Sequence, residues 1–322
     1  MTLHFALRAL ALAAPVALTF SAASAEDTLK VAVGQMEAWT QQVPILGDRA
    51  GIFKKHGIVL QNFGTQGAGE TLQAVISRSA DIGTGIGTAG VMRAFAKGAP
   101  VRIIAASFTG AGDIYWYVRA DSPIKTLKEA SEAHTIAYST GGSSTHAVVL
   151  GFVDLGIKAK PTATGGLPAT LTQVMSGQVD IGWAVPPFGL REVEEGKIRI
   201  IADGNDVPSM SNQTVRVEIV NADVLKERKD VIVRFMRAYR EALDWIFTDP
   251  QAAKIYAATL GIREDFVKLA IEKFQTREAK QMDRIAEVDA VMADAVKFKF
   301  LDKPLTHEQL AELIQIPPPD VR

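Results

Sequence analysis

Residues 67–83 (GAGETLQAVISRSADIG) return 99 positions later as residues 166–182 (GLPATLTQVMSGQVDIG), with eight of seventeen positions identical. Ordinary composition gives roughly one such match by accident. Other pairs keep the same or nearly the same offset. Phe53, Gly57 and Ile58 align with Phe152, Gly156 and Ile157, and residues 101–105 (VRIIA) align with residues 198–202 (IRIIA). One α/β unit is therefore present twice. Two copies are too few for a solenoid, which needs three or more. Side by side they make two lobes with a cleft between them, and a cleft is where small molecules bind.

The first unit reads as strand 29–33, helix 44–55, strand 58–63, helix 70–79, a strand from 81, helix 88–97 and strand 101–106. Pro44 opens its first helix, Ile45, Leu46, Ile52 and Phe53 make its buried stripe, and Gly57 stops it. Strands alternating with helices of ten or so residues predict a mainly parallel sheet flanked by helices in each lobe. Two β-rich runs differ: residues 113–120 (DIYWYVRA) lead out of the first unit and residues 214–220 (TVRVEIV) lead back. Together they predict a two-stranded hinge. From Ala222 the chain turns helical to about residue 300, and the aromatics Phe235, Tyr239 and Trp245 fall at the spacing of a packed helix face. The expected division is a leader over 1–25, a first lobe over 26–115, a second over 116–215, and a return to the first lobe with C-terminal helices over 216–322.

Three loops at strand ends carry the chemistry. Residues 85–90 (GIGTAG) match the glycine pattern of dinucleotide sites, but they sit on the third strand of their unit and lack an acidic residue about 20 positions on. Their glycines still allow backbone N–H groups at a helix start to lie bare against a ligand. Residues 139–146 (STGGSSTH) set hydroxyls and N–H groups at another helix start, a favourable place for an anion by about 0.3–1 kcal/mol when exposed and up to ~2 when partly buried. Thr65-Gln66-Gly67 offers a third entry. Each loop alone also fits simple capping. Ser143 or Ser144 near His146 hints at a hydrolase, though no G-x-S-x-G elbow is present. Gln35 and Trp39 follow the first strand, Trp183 ends the repeated Asp180-Ile181-Gly182, and Trp116 lies on the outgoing run. An indole covers an apolar ligand body while its N–H donates. Asp203 and Asp206 suit either a ligand cation or turn chemistry.

Composition removes other classes. The chain carries 35 Lys+Arg against 36 Asp+Glu and no basic run, which offers nothing to nucleic acid. Its five histidines show no metal-ligand spacing, so neither metal nor cofactor is expected. Arg8, the apolar stretch 9–20 and Ala23-Ser24-Ala25 form a cleavable export signal, too short to span a bilayer. Removing 25 of 322 residues leaves 297, room for two lobes with their own cores. With no cysteine in the chain, the expected mature end at Glu26 carries no lipid-modified cysteine, which points to a freely diffusing periplasmic protein.

Four segments, AGIFKKHGI at 50–58, SADIGTG at 79–85, KGAPVRII at 97–104 and GQVD at 177–180, resemble the periplasmic binding proteins of ABC transporters for taurine, alkanesulfonates, nitrate and related small anions. The thiamin-pyrimidine-precursor group shares their fold, but its enzymes use a cysteine-rich segment that this chain lacks. The resemblance covers residues 28–300. It implies a type II two-lobed α/β fold and no catalysis. A small organic anion, a sulfonate such as taurine or a small carboxylate with nitrate behind them, is captured by a monomer that docks on an inner-membrane ABC permease. It also implicates Gln35, Trp39, Gly87, Thr88, Ser143, Ser144 and Trp183 in ligand contact, with Thr145 beside them in the same loop. The absence of a Lys or Arg in these loops points to neutral hydrogen-bond donors. The competing classes are an exported enzyme in the same cleft, either a Ser–His hydrolase or an oxidoreductase, and a sensor lobe.

Overall fold

The computed structural model describes residues 26–319; the expected export signal lies outside them. Ten strands form two sheets: β1 (Asp27–Val33), β2 (Ile58–Gly64), β3 (Ile82–Gly87), β4 (Val101–Thr109), β5 (Tyr115–Arg119), β6 (Thr135–Tyr138), β7 (Lys160–Ala163), β8 (Ile181–Ala184), β9 (Ile198–Asp203) and β10 (Thr214–Asn221). The first sheet runs β2-β1-β3-β10-β4 and the second β7-β6-β8-β5-β9. These orders are the same pattern twice. In each, the unit's first strand pairs in parallel with its second and third, and one antiparallel strand is inserted before the edge strand.

The repeated residues do the same work in both copies. Thr71 Oγ1 donates to Gly67 O at 3.1 Å and meets Thr65 Oγ1 at 2.7 Å; Thr170 Oγ1 donates to Gly166 O at 2.9 Å and meets Thr164 Oγ1 at 2.6 Å. Asp81 and Asp180 each accept a backbone N–H from the first strand of their unit, Lys30 and Thr135, at 2.8 Å. Gly83 and Gly182 let a helix press onto the sheet. A Cβ there would come within 2.9 Å of Val75 Cγ2 and 2.7 Å of Val174 Cγ2, closer than side-chain carbons pack.

The expected helix 44–55 is two, Val43–Arg49 and Ile52–Lys55, broken where Gly51 turns left-handed at φ 73°. The two extended runs flank the crossings. Each is also an interior antiparallel strand of a sheet, β5 in the second and β10 in the first. The first four residues of β5 and all eight of β10 are buried, as strands covered on both faces must be. The crossings themselves are the adjoining loops, tied together by Gly110 N–H to Gln213 O and Gly204 N–H to Ile114 O, both at 2.8 Å.

The helix Lys229–Thr248 packs Phe235 and Tyr239 into the core of the first sheet, and Trp245 lies against it. After the helix Glu264–Lys273, the chain passes along β4, where Ala106 and Thr109 donate to Met282 O and Ala279 O. That passage carries Gln275 and Lys280, both almost wholly buried, back to the space between the sheets. Among the described residues, no helix is long and apolar enough to cross a membrane.

Candidate functional site

The two halves meet along a line of glycines. A Cβ on Gly87 would lie 2.7 Å from Ser143 C and Ser144 N, and one on Gly90 would lie 3.1 Å from Gly142 Cα, with Gly142 O closer still to both. The dinucleotide-like pattern is thereby explained. Gly85 and Gly87 lie inside β3, and the pattern's second and third glycines serve backbone-to-backbone approach of one half to the other. Further bonds join the halves: Gly69 N–H to Thr140 Oγ1 at 3.0 Å, Leu167 N–H to Gln35 Oε1 at 3.4 Å, Gln275 Nε2 to Pro186 O at 2.5 Å, and the ion pair Arg263–Glu194 at 2.7 Å. This is a closed arrangement.

Behind the glycine line lies a chamber with a cavity of about 20 Å³, room for one water-sized group. Gln35, Gln41 and Arg216 line it from the first half, and Ser139, Ser143, Ser144, Thr145, Trp183 and Val185 from the second. Two helices open beside it, Ala68–Ile76 and Ser144–Asp154, presenting their positive ends. The structure thus brings together Gln35, Ser143, Ser144, Thr145 and Trp183 from the sequence-derived set. Trp183 donates from Nε1 to Thr164 Oγ1 at 3.3 Å, which fixes the indole as a wall. Ser143 caps its helix by accepting the His146 N–H at 3.1 Å and meets Thr145 Oγ1 at 2.9 Å.

Three residues of that set stand elsewhere. Trp39 is fully buried in the core of the first sheet, edge-on to Tyr256 at 5.1 Å, because the short helical turn Trp39–Gln41 rotates it inward. Thr88 spends its hydroxyl on Thr214 O at 2.6 Å. Together with Gly87, Ser143 and Ser144 it lines an adjoining, mostly apolar cavity that Phe298 and Phe300 also line. Trp116 is likewise core, bonded to Ala137 O at 2.9 Å and packed on Phe152. Asp203 and Asp206 form a reciprocal cap on the turn Gly204–Asp206, so they are turn residues.

The expectation of only neutral donors is corrected by Arg216. It arrives from β10, one of the two runs predicted as hinge strands, and lines the chamber at 4% exposure. Its Nη2 donates to both oxygens of the buried Asp113 at 2.5 and 2.6 Å, and its guanidinium lies 4.6 Å from the Phe108 ring centroid. Burial pushes the Asp113 carboxyl upward, against the pull of Arg216. Two residues further along the strand, Glu218 accepts from Gly85 N–H at 2.9 Å and Tyr239 OH at 2.8 Å. Lys280 donates to Thr40 O at 2.8 Å, and burial holds its ammonium down to about 8, opposed by Glu218. The readable signal was the polar alternation of TVRVEIV, which places Arg and Glu at every second position of a strand.

The Ser–His arrangement does not form. His146 stacks on Tyr138 at 4.2 Å and its Nδ1 accepts from Gly142 N–H at 3.2 Å, while Ser143 Oγ meets only the His146 backbone and Thr145. Burial, then Arg93, holds the imidazole down to about 4, so it is neutral at pH 7.

Two five-stranded mixed sheets closing on a polar chamber define a two-lobed binding-protein fold. The chain belongs to the NMT1/THI5-like family, whose model matches residues 42–253. Solved structures share the fold. The alkanesulfonate-binding protein SsuA from Xanthomonas axonopodis pv. citri, bound to MOPS, superposes with a TM-score of 0.72 at 16% identity, covering 90% of this chain and 98% of that one. The periplasmic aliphatic sulphonate binding protein SsuA from Escherichia coli gives 0.68 at 19% identity over 91% and 93%. The periplasmic nitrate-binding protein NrtA from Synechocystis PCC 6803 gives 0.66 at 12% over 89% and 84%. No curated protein sequence matches the chain.

Proposed function

We propose that this chain is the solute-capturing component of an ABC importer. It takes a small organic anion, alkanesulfonate-like or a small carboxylate, into the chamber between the lobes and delivers it from the periplasm to an inner-membrane permease. The observation that carries the reading is a chamber walled by both halves, lined by Arg216, serine and threonine hydroxyls and two helix N-termini, with Trp183 as its apolar wall. A positive helix end and a fixed guanidinium both favour negative charge. The closed cavity holds one water-sized group, so a sulfonate enters by hinge opening and the lining side chains shift to seat it as the lobes close again along the glycine line. The fold shared with sulfonate- and nitrate-binding proteins supports the same reading. Capture needs only micromolar affinity, about −8 kcal/mol.

The test is a thermal-shift and calorimetric panel of ethanesulfonate, benzoate, propionate, taurine and nitrate on the processed protein. A ligand at 100 times its dissociation constant adds about 2.7 kcal/mol to stability. The expected result is a rise in melting temperature with at least one anion, which is recovered chemically unchanged. A flat panel, or turnover of the bound anion, overturns the proposal.

A further inference from the structure

We propose that the chamber takes anions bearing no cationic group, and that Arg216 holds their headgroup. The inference rests on the capture reading and narrows its ligand. Arg216 is locked on one side by Asp113 and on its face by Phe108, yet its Nε, buried from solvent, has no partner. Ser139, 3% exposed and also lining the chamber, has an equally unpartnered Oγ. A buried donor without an acceptor is costly unless something brings one. An oxyanion would supply acceptors to both, beside the N-terminus of the eleven-residue helix Ser144–Asp154.

A cation finds the opposite. Among the described residues, no Asp or Glu lines the chamber. The carboxylates near it are committed: Asp113 to Arg216, and Glu218 to Gly85 N–H and Tyr239 OH. The two glutamine amide oxygens that line it each already accept one bond. Gln41 Oε1 accepts the Gln35 N–H at 2.9 Å, and Gln35 Oε1 accepts the Leu167 N–H. An ammonium enclosed here would lose its water and gain no counter-charge, while a methyl or aryl end would meet Trp183, Val185 and Ala68. Taurine and amino acids are therefore disfavoured against the same anions without the amine.

The experiment is calorimetry with two matched pairs, ethanesulfonate against taurine and propionate against β-alanine, each differing chiefly by one ammonium. The amine-free member is expected to bind at least tenfold more tightly. Because Arg216→Met alone strands Asp113, the headgroup role is read from the double variant Asp113→Leu/Arg216→Met, with Ser139→Ala as a milder companion that strands nothing. The double variant, its fold checked by circular dichroism, is expected to lose at least tenfold in affinity for the amine-free anion. Ser139→Ala, which keeps the ion pair, is expected to lose a few-fold. Failure of the double variant to fold leaves Ser139→Ala and the matched pairs to decide. Equal or tighter binding of the aminated members, or wild-type affinity in the folded double variant and in Ser139→Ala, overturns this inference while leaving capture intact. Silence from all four probes also overturns it, and capture itself then stands or falls on nitrate and benzoate.

Discussion

Gly90→Ala separates lobe closure from lobe stability. Gly90 lies inside the helix Thr88–Ala96, where alanine is favoured over glycine by about 1 kcal/mol. The first lobe therefore gains from the change. In the closed arrangement, however, the added Cβ would stand 3.1 Å from Gly142 Cα and 3.0 Å from its carbonyl carbon, with the oxygen nearer still. Carbon pairs rest at about 3.5–4 Å. The obstacle is backbone, so no side chain can rotate away. Forcing an extra methyl into a packed contact costs about 1–3 kcal/mol, here charged to the closed form alone. At 1.4 kcal/mol per decade that weakens apparent affinity by about 5- to 150-fold. Small-angle scattering with saturating anion should show wild type compacting and the variant compacting less, while urea unfolding shows the lobe undiminished. Unchanged affinity together with an unchanged scattering profile would refute the interlobe role of this glycine.

Two other expectations follow from titration. Burial lowers Lys280 to about 8 in the folded chain against an ordinary 10.5, so between those values the unfolded chain holds more protons and stability rises with pH. The cost of enclosing the ammonium stands in full below pH 8 and is on the order of 3 kcal/mol. Lys280→Met should flatten that rise, measured as urea midpoints at pH 7.5 and pH 10; parallel profiles for the two proteins would contradict it. His146, lowered to about 4 by burial and Arg93, takes up a proton in the unfolded chain first, so stability falls as pH drops from 6.5 toward 4. Its imidazole resonances should titrate near 4 by NMR, and a midpoint at 6 or above would show that the ring is not held as described.

The duplicated unit was readable because its signals are local. Thr71 and Thr170, Asp81 and Asp180, and Gly83 and Gly182 serve contacts within their own unit, so identical spacing carries identical geometry. The loop 139–146 was readable for the same reason: a helix start with capping hydroxyls exposes its N–H groups wherever the helix is placed. Trp39 was not readable. A tryptophan after a first strand sits in core or cleft according to which way one short turn faces, and Tyr256, more than 200 positions away, receives it.

What the chain alone determined is the twofold α/β plan and the helix entries that crowd toward one place, because strand period, capping and close helix–sheet packing act over a few residues or one unit. What the tertiary structure decided is the character of the chamber. Arg216 reaches it only because β10 crosses back into the first sheet, and Asp113 meets it only because the outgoing crossing lies alongside. The glycine pattern at 85–90 became a seam between lobes only once Gly142 was laid against it. Charges and backbones brought together from separate halves depend on how those halves dock, and no local spacing encodes that.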